Sequence, residues 1–299
     1  MKFAAIDIGS NAVRLLLANV YEHKGKPDFK KGSLIRVPIR LGDDVFLTQR
    51  ISKEKTQNLV KTMMAFKYLA EVFEPLDIMA CATASMREAV NNQEVIDLIK
   101  KETGISIEII DGKREAEIIY SNHVAEDIDS SKSYLYIDVG GGSTELTLFS
   151  KGKRIGSNSF NIGTIRILDH ADNESEWKRL QNWVENETQR HHPITGIGTG
   201  GNINKIFRIS EKKEGKPLSY KNLKEIHENL NSYSLEDRIE VLGLKPDRAD
   251  VIIPAAELFL KIMKWAKISE IYVPQIGLSD GIIHVLYEKF KSKNGDGRP

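Results

Sequence analysis

The chain has 299 residues, 40% of them hydrophobic and 28% charged, enough apolar material for about two domains with their own cores. Lys plus Arg number 43 against 42 for Asp plus Glu, a formal net charge of +1. No global field therefore draws the protein to nucleic acid or to an acidic membrane, and a polyanionic ligand would need a local basic lining.

Residues 3–20 read as an apolar strand, the turn Asp7-Ile8-Gly9-Ser10-Asn11 and a second apolar run from Val13, the pattern of a hairpin. A third strand is predicted near 34–39, a helix over 53–73, a strand over 78–82, a helix over 93–103, a strand over 106–110 and a helix over 114–123. The polar stretch 126–133 is the natural junction between a domain over 1–125 and a domain over 132–299. Residues 134–149 repeat the hairpin scheme around Asp138-Val139-Gly140-Gly141-Gly142-Ser143-Thr144. There follow a strand near 154–161, a helix over 174–190 and a strand over 195–198 that leads into Gly198-Thr199-Gly200-Gly201-Asn202. Helices near 220–232, 235–241 and 248–265, a strand over 270–273 and a helix over 280–290 complete the pattern. Two α/β halves, each a mixed sheet covered by helices, are the expectation. Cys81 is the only cysteine, which excludes an intramolecular disulfide. No apolar run reaches the ~20 residues that span a bilayer. The first residues show no charged-then-apolar leader, so the expected location is the cytoplasm.

The glycine turns carry the chemistry. Glycine lets the main chain bend sharply and lets a ligand approach it closely. Successive N–H groups in such a turn form a nest for anions, and neighbouring hydroxyls add donors to phosphate oxygens. An aspartate at the strand end can hold a divalent cation such as Mg²⁺. One such turn is unremarkable in a hairpin. Two at matching places in similar halves, with a third at 198–202, point to phosphate held from both walls of a cleft.

These blocks resemble the exopolyphosphatase / guanosine pentaphosphate phosphohydrolase (Ppx/GppA) family, a branch of the actin, Hsp70 and sugar-kinase superfamily. The resemblance rests on Ala5-Ile6-Asp7-Ile8-Gly9-Ser10-Asn11 with Arg14, and on Ala82-Thr83-Ala84-Ser85-Met86-Arg87-Glu88-Ala89. It continues through Asp111-Gly112-Lys113-Arg114-Glu115-Ala116, the block from Ile137 to Leu146, and Gly196-Ile197-Gly198-Thr199-Gly200-Gly201-Asn202. It implies two ribonuclease-H-like (actin-like ATPase) domains with a cleft between them. It also implies removal of terminal orthophosphate from inorganic polyphosphate or guanosine pentaphosphate, with Mg²⁺ or another divalent cation as cofactor. Carried over residue by residue, it makes Glu115 the catalytic carboxylate. Asp138 and Glu145 become the metal ligands. Asp7, Gly9, Ser10, Asn11, Arg14, Thr83, Arg87, Gly140, Gly141, Gly142, Ser143, Thr144, Gly200, Gly201 and Asn202 become the phosphate-binding set. A homodimer is implied in the same way.

The residues themselves give Glu115 a sensible place, in the first turn of a helix whose N-terminus favours an anion. Glu117 lies ~200° further around and cannot share its direction. Family members often continue into a helical domain with a His-Asp signature. This sequence has no His-Asp dipeptide, so a short form is expected. Where the family often shows Gly-Leu-Arg-Glu-Gly, this chain has Gly277-Leu278-Ser279-Asp280-Gly281, one positive group fewer, which tilts the reading toward inorganic polyphosphate. A small-molecule kinase of the same superfamily, or a non-catalytic polyphosphate or alarmone sensor, would share the turns. Cys81 reads as a small core residue, Trp177, Trp183 and Trp265 as packing, and the lysines of 24–31 as solvated loop. Gly25-Lys26 and Gly112-Lys113 lack P-loop spacing.

Overall fold

A computed structural model of the chain describes residues 1–23, 26–121, 129 and 131–295. The chain divides into two compact units, Met1–Asn122 with Leu278–Pro299, and His123–Gly277. Much of the expected junction at 126–133 lies outside the described residues, as does the end of the tail.

In the first unit β1 (Lys2–Ile8), β2 (Val13–His23) and β3 (Lys26–Val37) form an antiparallel meander. Then come α1 (Leu41–Thr48), α2 (Lys53–Phe73), β4 (Asp77–Ala82), α3 (Ala84–Glu88), α4 (Asn92–Thr103), β5 (Ile107–Ile109) and α5 (Gly112–Tyr120). The sheet runs β3-β2-β1-β4-β5, with β4 and β5 parallel to β1. Because β1 is central and covered on both sides, its residues 3–8 are all buried, and alternate side chains feed two cores. Ala4, Ile6 and Ile8 meet Leu59, Met63 and Phe66 of α2 and Val95 and Ile99 of α4. Phe3 and Ala5 meet Ile118 and Ile119 of α5 and Ile282, Ile283, Leu286 and Tyr287 of the helix Leu278–Gly295.

In the second unit β6 (Ser133–Val139), β7 (Thr144–Ser150) and β8 (Lys153–Phe160) repeat the meander. They precede α6 (Thr164–Leu168), α7 (Glu174–Thr188), β9 (Ile194–Thr199), α8 (Gly201–Ile209), β10 (Leu218–Ser219), α9 (Tyr220–Asn231), α10 (Leu235–Glu240), α11 (Pro246–Ala249), α12 (Ile252–Trp265) and β11 (Glu270–Tyr272). The order here is β10-β11-β9-β6-β7-β8. Leu135, Ile137, Val139, Leu146 and Leu148 turn one face of this sheet into the core with α7, α8, α9 and α12. Trp177 and Trp265 meet edge to face, as do Trp183 and Phe160, so all three tryptophans pack as expected. No helix among the described residues is long and apolar enough to cross a membrane.

The helices start where the sequence caps them. Ser52 accepts from the Lys55 N–H ahead of α2, and Asn173 from the Glu176 N–H ahead of α7. Two differences from the sequence reading stand out. The third strand begins at Lys26 rather than near 34. Its lysines lie on an edge strand, where charge discourages further pairing, and not in a solvated loop. The helix Leu278–Gly295, α13, belongs with the first unit, although the sequence reading ran the second domain to residue 299. Tyr287 donates to Glu22 of β2, Lys31 of β3 pairs with Asp280 at 2.7 Å, and Lys289 pairs with Asp77 at 3.0 Å.

Gly281 sets how closely α13 approaches α5. A Cβ there would lie 2.0 Å from the Ile118 carbonyl oxygen, a backbone atom that moves only with its whole helix. Gly281→Ala is therefore expected to destabilise the protein by about 1–3 kcal/mol, read as a lower urea midpoint. Gly277→Ala, where nothing lies within 4 Å, should leave that midpoint unchanged.

Candidate functional site

The two hairpins match at the level of single bonds. The Gly9 N–H donates to the Ala12 carbonyl at 3.1 Å, and the Gly140 N–H to the Ser143 carbonyl at 2.9 Å. In the first, Asp7 stands opposite Arg14 across the ladder. In the second, Asp138 stands opposite Glu145 at the same register. Residues paired in this way share one face of the sheet.

In the first unit the parallel strands end together. Thr83 N–H donates to the Ile8 carbonyl and Ile110 N–H to the Ala82 carbonyl, which brings the 9–12 turn, Thr83 and the start of α5 to one edge. The turn is tied further by Gly42 N–H to the Ser10 carbonyl and Arg40 N–H to the Asn11 carbonyl. Asp7 and Arg14 form an ion pair of 2.6 Å, so each already neutralises the other. Arg87 does not reach into open space. Its guanidinium donates to the Ile110 carbonyl at 2.8 Å, one residue before Asp111 caps α5 through the Arg114 N–H. Glu115 sits in that first helical turn with a buried side chain, its N–H on the Asp111 carbonyl. The helix N-terminus stabilises its anion there. Glu117 is part-exposed and lies 3.9 Å from Arg114, so only Glu115 of the two is a buried carboxylate.

Cys81 stands beside Asp7 in the parallel ladder and next to Glu108 on its other side. Burial, with the charges of Glu108 and Asp7 adding to it, pushes its thiol up to about 12. A thiol so protonated is no nucleophile at neutral pH, in keeping with a core residue.

In the second unit four strands place one polar row on a single face: Thr199, Asp138, Glu145 and Ser159. The Thr199 hydroxyl donates to Asp138 Oδ1 at 2.8 Å and the Ser159 hydroxyl to Glu145 Oε1 at 2.8 Å. Two carboxylates directly opposite each other repel. A hard divalent cation relieves that repulsion, and a donor set of carboxylate and hydroxyl oxygens suits Mg²⁺. Gly200 lets the next loop come close: its φ is +103°, and a Cβ would lie 3.0 Å from Asp138 Oδ1. Gly201 and Asn202 then open α8.

The 140–143 turn is held from its carbonyl side. Thr164 N–H donates to the Gly140 carbonyl at 3.0 Å and Ile165 N–H to the Gly141 carbonyl at 2.8 Å. The buried Arg166 donates through Nε to the Gly142 carbonyl at 2.6 Å. Gly163 permits this: a Cβ there would lie 2.4 Å from the Gly141 oxygen. With the carbonyls engaged, the Gly141 and Gly142 N–H groups, which have no acceptor among the described residues, are left to an incoming anion. Thr144, expected to touch phosphate, is buried and gives its hydroxyl to the Ile162 carbonyl at 2.7 Å, so it braces the turn instead. Gly163, Thr164 and Arg166 were not anticipated. The signal available was a glycine directly before a short helix, Asn161-Ile162-Gly163-Thr164-Ile165-Arg166.

Hairpins of this kind in two α/β units are those of the actin-like fold. The chain belongs to the Ppx/GppA phosphatase family, whose model matches residues 23–290. It is 30% identical over 285 residues to the bifunctional 3-dehydroquinate synthase/phosphatase of Fusobacterium nucleatum. That match takes in 88% of this chain but only 43% of the relative, so the chain spans less than half of that protein. It is 22% identical to exopolyphosphatase 1 of Mycobacterium leprae, covering 95% of this chain and 88% of the relative. The fold matches a crystal structure of an exopolyphosphatase from Cytophaga hutchinsonii with a TM-score of 0.82 at 23% identity, over 97% of this chain and 98% of that one.

Arg166→Ala should leave the Gly142 carbonyl buried without its donor and cost about 1–3 kcal/mol, read as a lower thermal midpoint in calorimetry. Cys81 should not react with a maleimide at pH 8 in the native protein and should react at once in denaturant.

Proposed function

We propose that this chain is an exopolyphosphatase, releasing terminal orthophosphate from inorganic polyphosphate in the cytoplasm. One observation carries the reading beyond the family. The 140–143 turn has its carbonyls tied back by α6, which leaves its amides for a phosphate group, and the paired Asp138 and Glu145 stand at its base. Exopolyphosphatases among the relatives support the substrate class.

Glu115 acts as general base. Its carboxylate orients a water toward the terminal phosphorus and takes the water's proton as the phosphoanhydride bond breaks. Asp138 and Glu145 would hold Mg²⁺, whose chemistry is to neutralise the non-bridging oxygens as the leaving group departs. Gly140, Gly141, Gly142, Ser143, Gly200, Gly201 and Asn202 cradle phosphate on the second unit, and Gly9, Ser10 and Asn11 on the first. Thr83 contributes a hydroxyl, and Arg14 adds donors from a guanidinium whose charge Asp7 already balances. Arg87 and Thr144 hold the backbone that presents these groups. Inorganic polyphosphate is favoured over guanosine pentaphosphate because the 277–281 segment offers no positive side chain, Ser279 being a buried neutral residue of α13.

Phosphate release should therefore be measured with short polyphosphate, long polyphosphate and guanosine pentaphosphate, each with Mg²⁺ and with chelator. The expected result is release from polyphosphate that chelator abolishes. Glu115→Gln should lower kcat by ~10²-fold or more while polyphosphate still binds, and undiminished turnover would remove Glu115 from the mechanism. Asp138→Asn should raise the Mg²⁺ concentration needed for half-maximal rate. ADP formation that depends on an organic acceptor would instead make the protein a kinase.

A further inference from the structure

Each glycine turn is tied on its carbonyl side by the segment that follows β3 or β8, residues 38–40 leading into α1 and residues 161–163 into α6. One bond matches residue for residue. The Gly42 N–H, second in α1, donates to the Ser10 carbonyl, as the Ile165 N–H, second in α6, donates to the Gly141 carbonyl. The next carbonyl is met differently. Gly142 takes Nε of Arg166, whereas Asn11 takes the main-chain N–H of Arg40 at 3.0 Å. Arg40 presents that N–H from a left-handed backbone, φ +55° and ψ +50°. Such a conformation is costly for any residue but glycine and persists only where neighbours enforce it.

Lys55, in the first turn of α2, supplies the enforcement. Its ammonium donates to the Arg40 carbonyl and pairs with Asp44 at 3.2 Å and Asp43 at 3.4 Å. Asp43 in turn accepts from Arg40 Nε at 2.9 Å, and Asp44 from the Ser52 N–H at 2.9 Å. The N–H of residue 40 is thus held by the turn, its carbonyl by Lys55 and its side chain by Asp43, which fixes both backbone dihedrals. The Lys55 side chain is only 18% exposed, so these charges are little screened. A cation in the first turn of a helix opposes the helix dipole, so α2 itself draws no benefit from Lys55. We propose that Lys55 is a positioning residue for phosphate binding in the first unit. It locks Arg40 in the left-handed state and so holds the 9–12 turn in the shape that offers its amides to the substrate. The inference rests on the proposed reading of that turn as a phosphate cradle.

The test pairs hydrogen exchange on the peptide covering residues 8–12 with steady-state kinetics on short polyphosphate, in the full chain, with circular dichroism to confirm that each variant is folded. Lys55→Met keeps the stem and removes the charge, Asp43→Asn loosens the same lock from its other side, and Lys53→Met removes an exposed cation from the same helical turn. Lys55→Met should speed exchange of that peptide by about ten-fold. It should raise KM by about ten-fold while kcat stays within about two-fold, the pattern of lost binding that ground state and transition state share. Asp43→Asn should move both readouts in the same direction by less, and Lys53→Met neither. Exchange unaltered in both Lys55→Met and Asp43→Asn overturns the lock. Faster exchange with an unchanged KM overturns its role in phosphate binding, as does a KM shift that Lys53→Met reproduces. A wild type that releases no phosphate removes the proposed activity instead, and exchange alone then decides the lock.

Discussion

Each sheet turns on one short bond, from a glycine N–H at the end of the first strand to the carbonyl that opens the second. Gly9 to Ala12 and Gly140 to Ser143 close hairpins of equal span, and that span fixes which side chains oppose each other two steps down the ladder. A strand has a period of two, so a slip of one residue would send Asp7 or Asp138 to the other face, into the core with α2 or with α12. The polar row, the approach of Gly200 to Asp138 and the contact of α6 with the turn all follow from that register.

Given this common frame, a single substitution separates the halves. Where the first hairpin has Arg14 the second has Glu145. The first unit closes its own charge in an Asp–Arg pair of 2.6 Å. The second concentrates two carboxylates, each steadied on one oxygen by a hydroxyl from the adjacent strand. The same backbone thus holds a neutralised pair in the first unit and two opposed carboxylates in the second.

Much of this was legible in the sequence where local chemistry decides. Helix α2 was placed over its observed span, which Ser52 caps at its start and Pro75 follows at its end. Strand β4 and helices α4 and α9 fell within a residue or two for similar reasons. The glycine turns were legible as hairpin turns, and Glu115 as a carboxylate in the first turn of a helix. Contacts between distant segments were not. Nothing local says that Arg166 bonds Gly142, that Thr144 is spent on Ile162, or that Arg87 serves the Ile110 carbonyl, because each choice depends on the approach of another element. The short helices α1, α3, α6 and α8 were missed because fewer than three turns leave little periodicity to read. Lys26 to Lys31 looked like loop because charge on an edge strand and charge in a loop are alike in a single sequence.

The return of α13 to the first unit makes the second unit an insertion within it. During synthesis the ribosome delivers β1, β2 and β4 long before the helix that covers Phe3, Ala5, Leu16 and Val20. The partner that closes this face, through Tyr287 and Glu22, arrives 265 residues later. A nascent chain at that stage presents an oily sheet surface that α5 covers only in part, the sort of surface that chaperones bind and that aggregates when they do not. Maturation of the N-terminal half is thereby postponed until translation has carried past Gly281, so the domain made first is the one completed last.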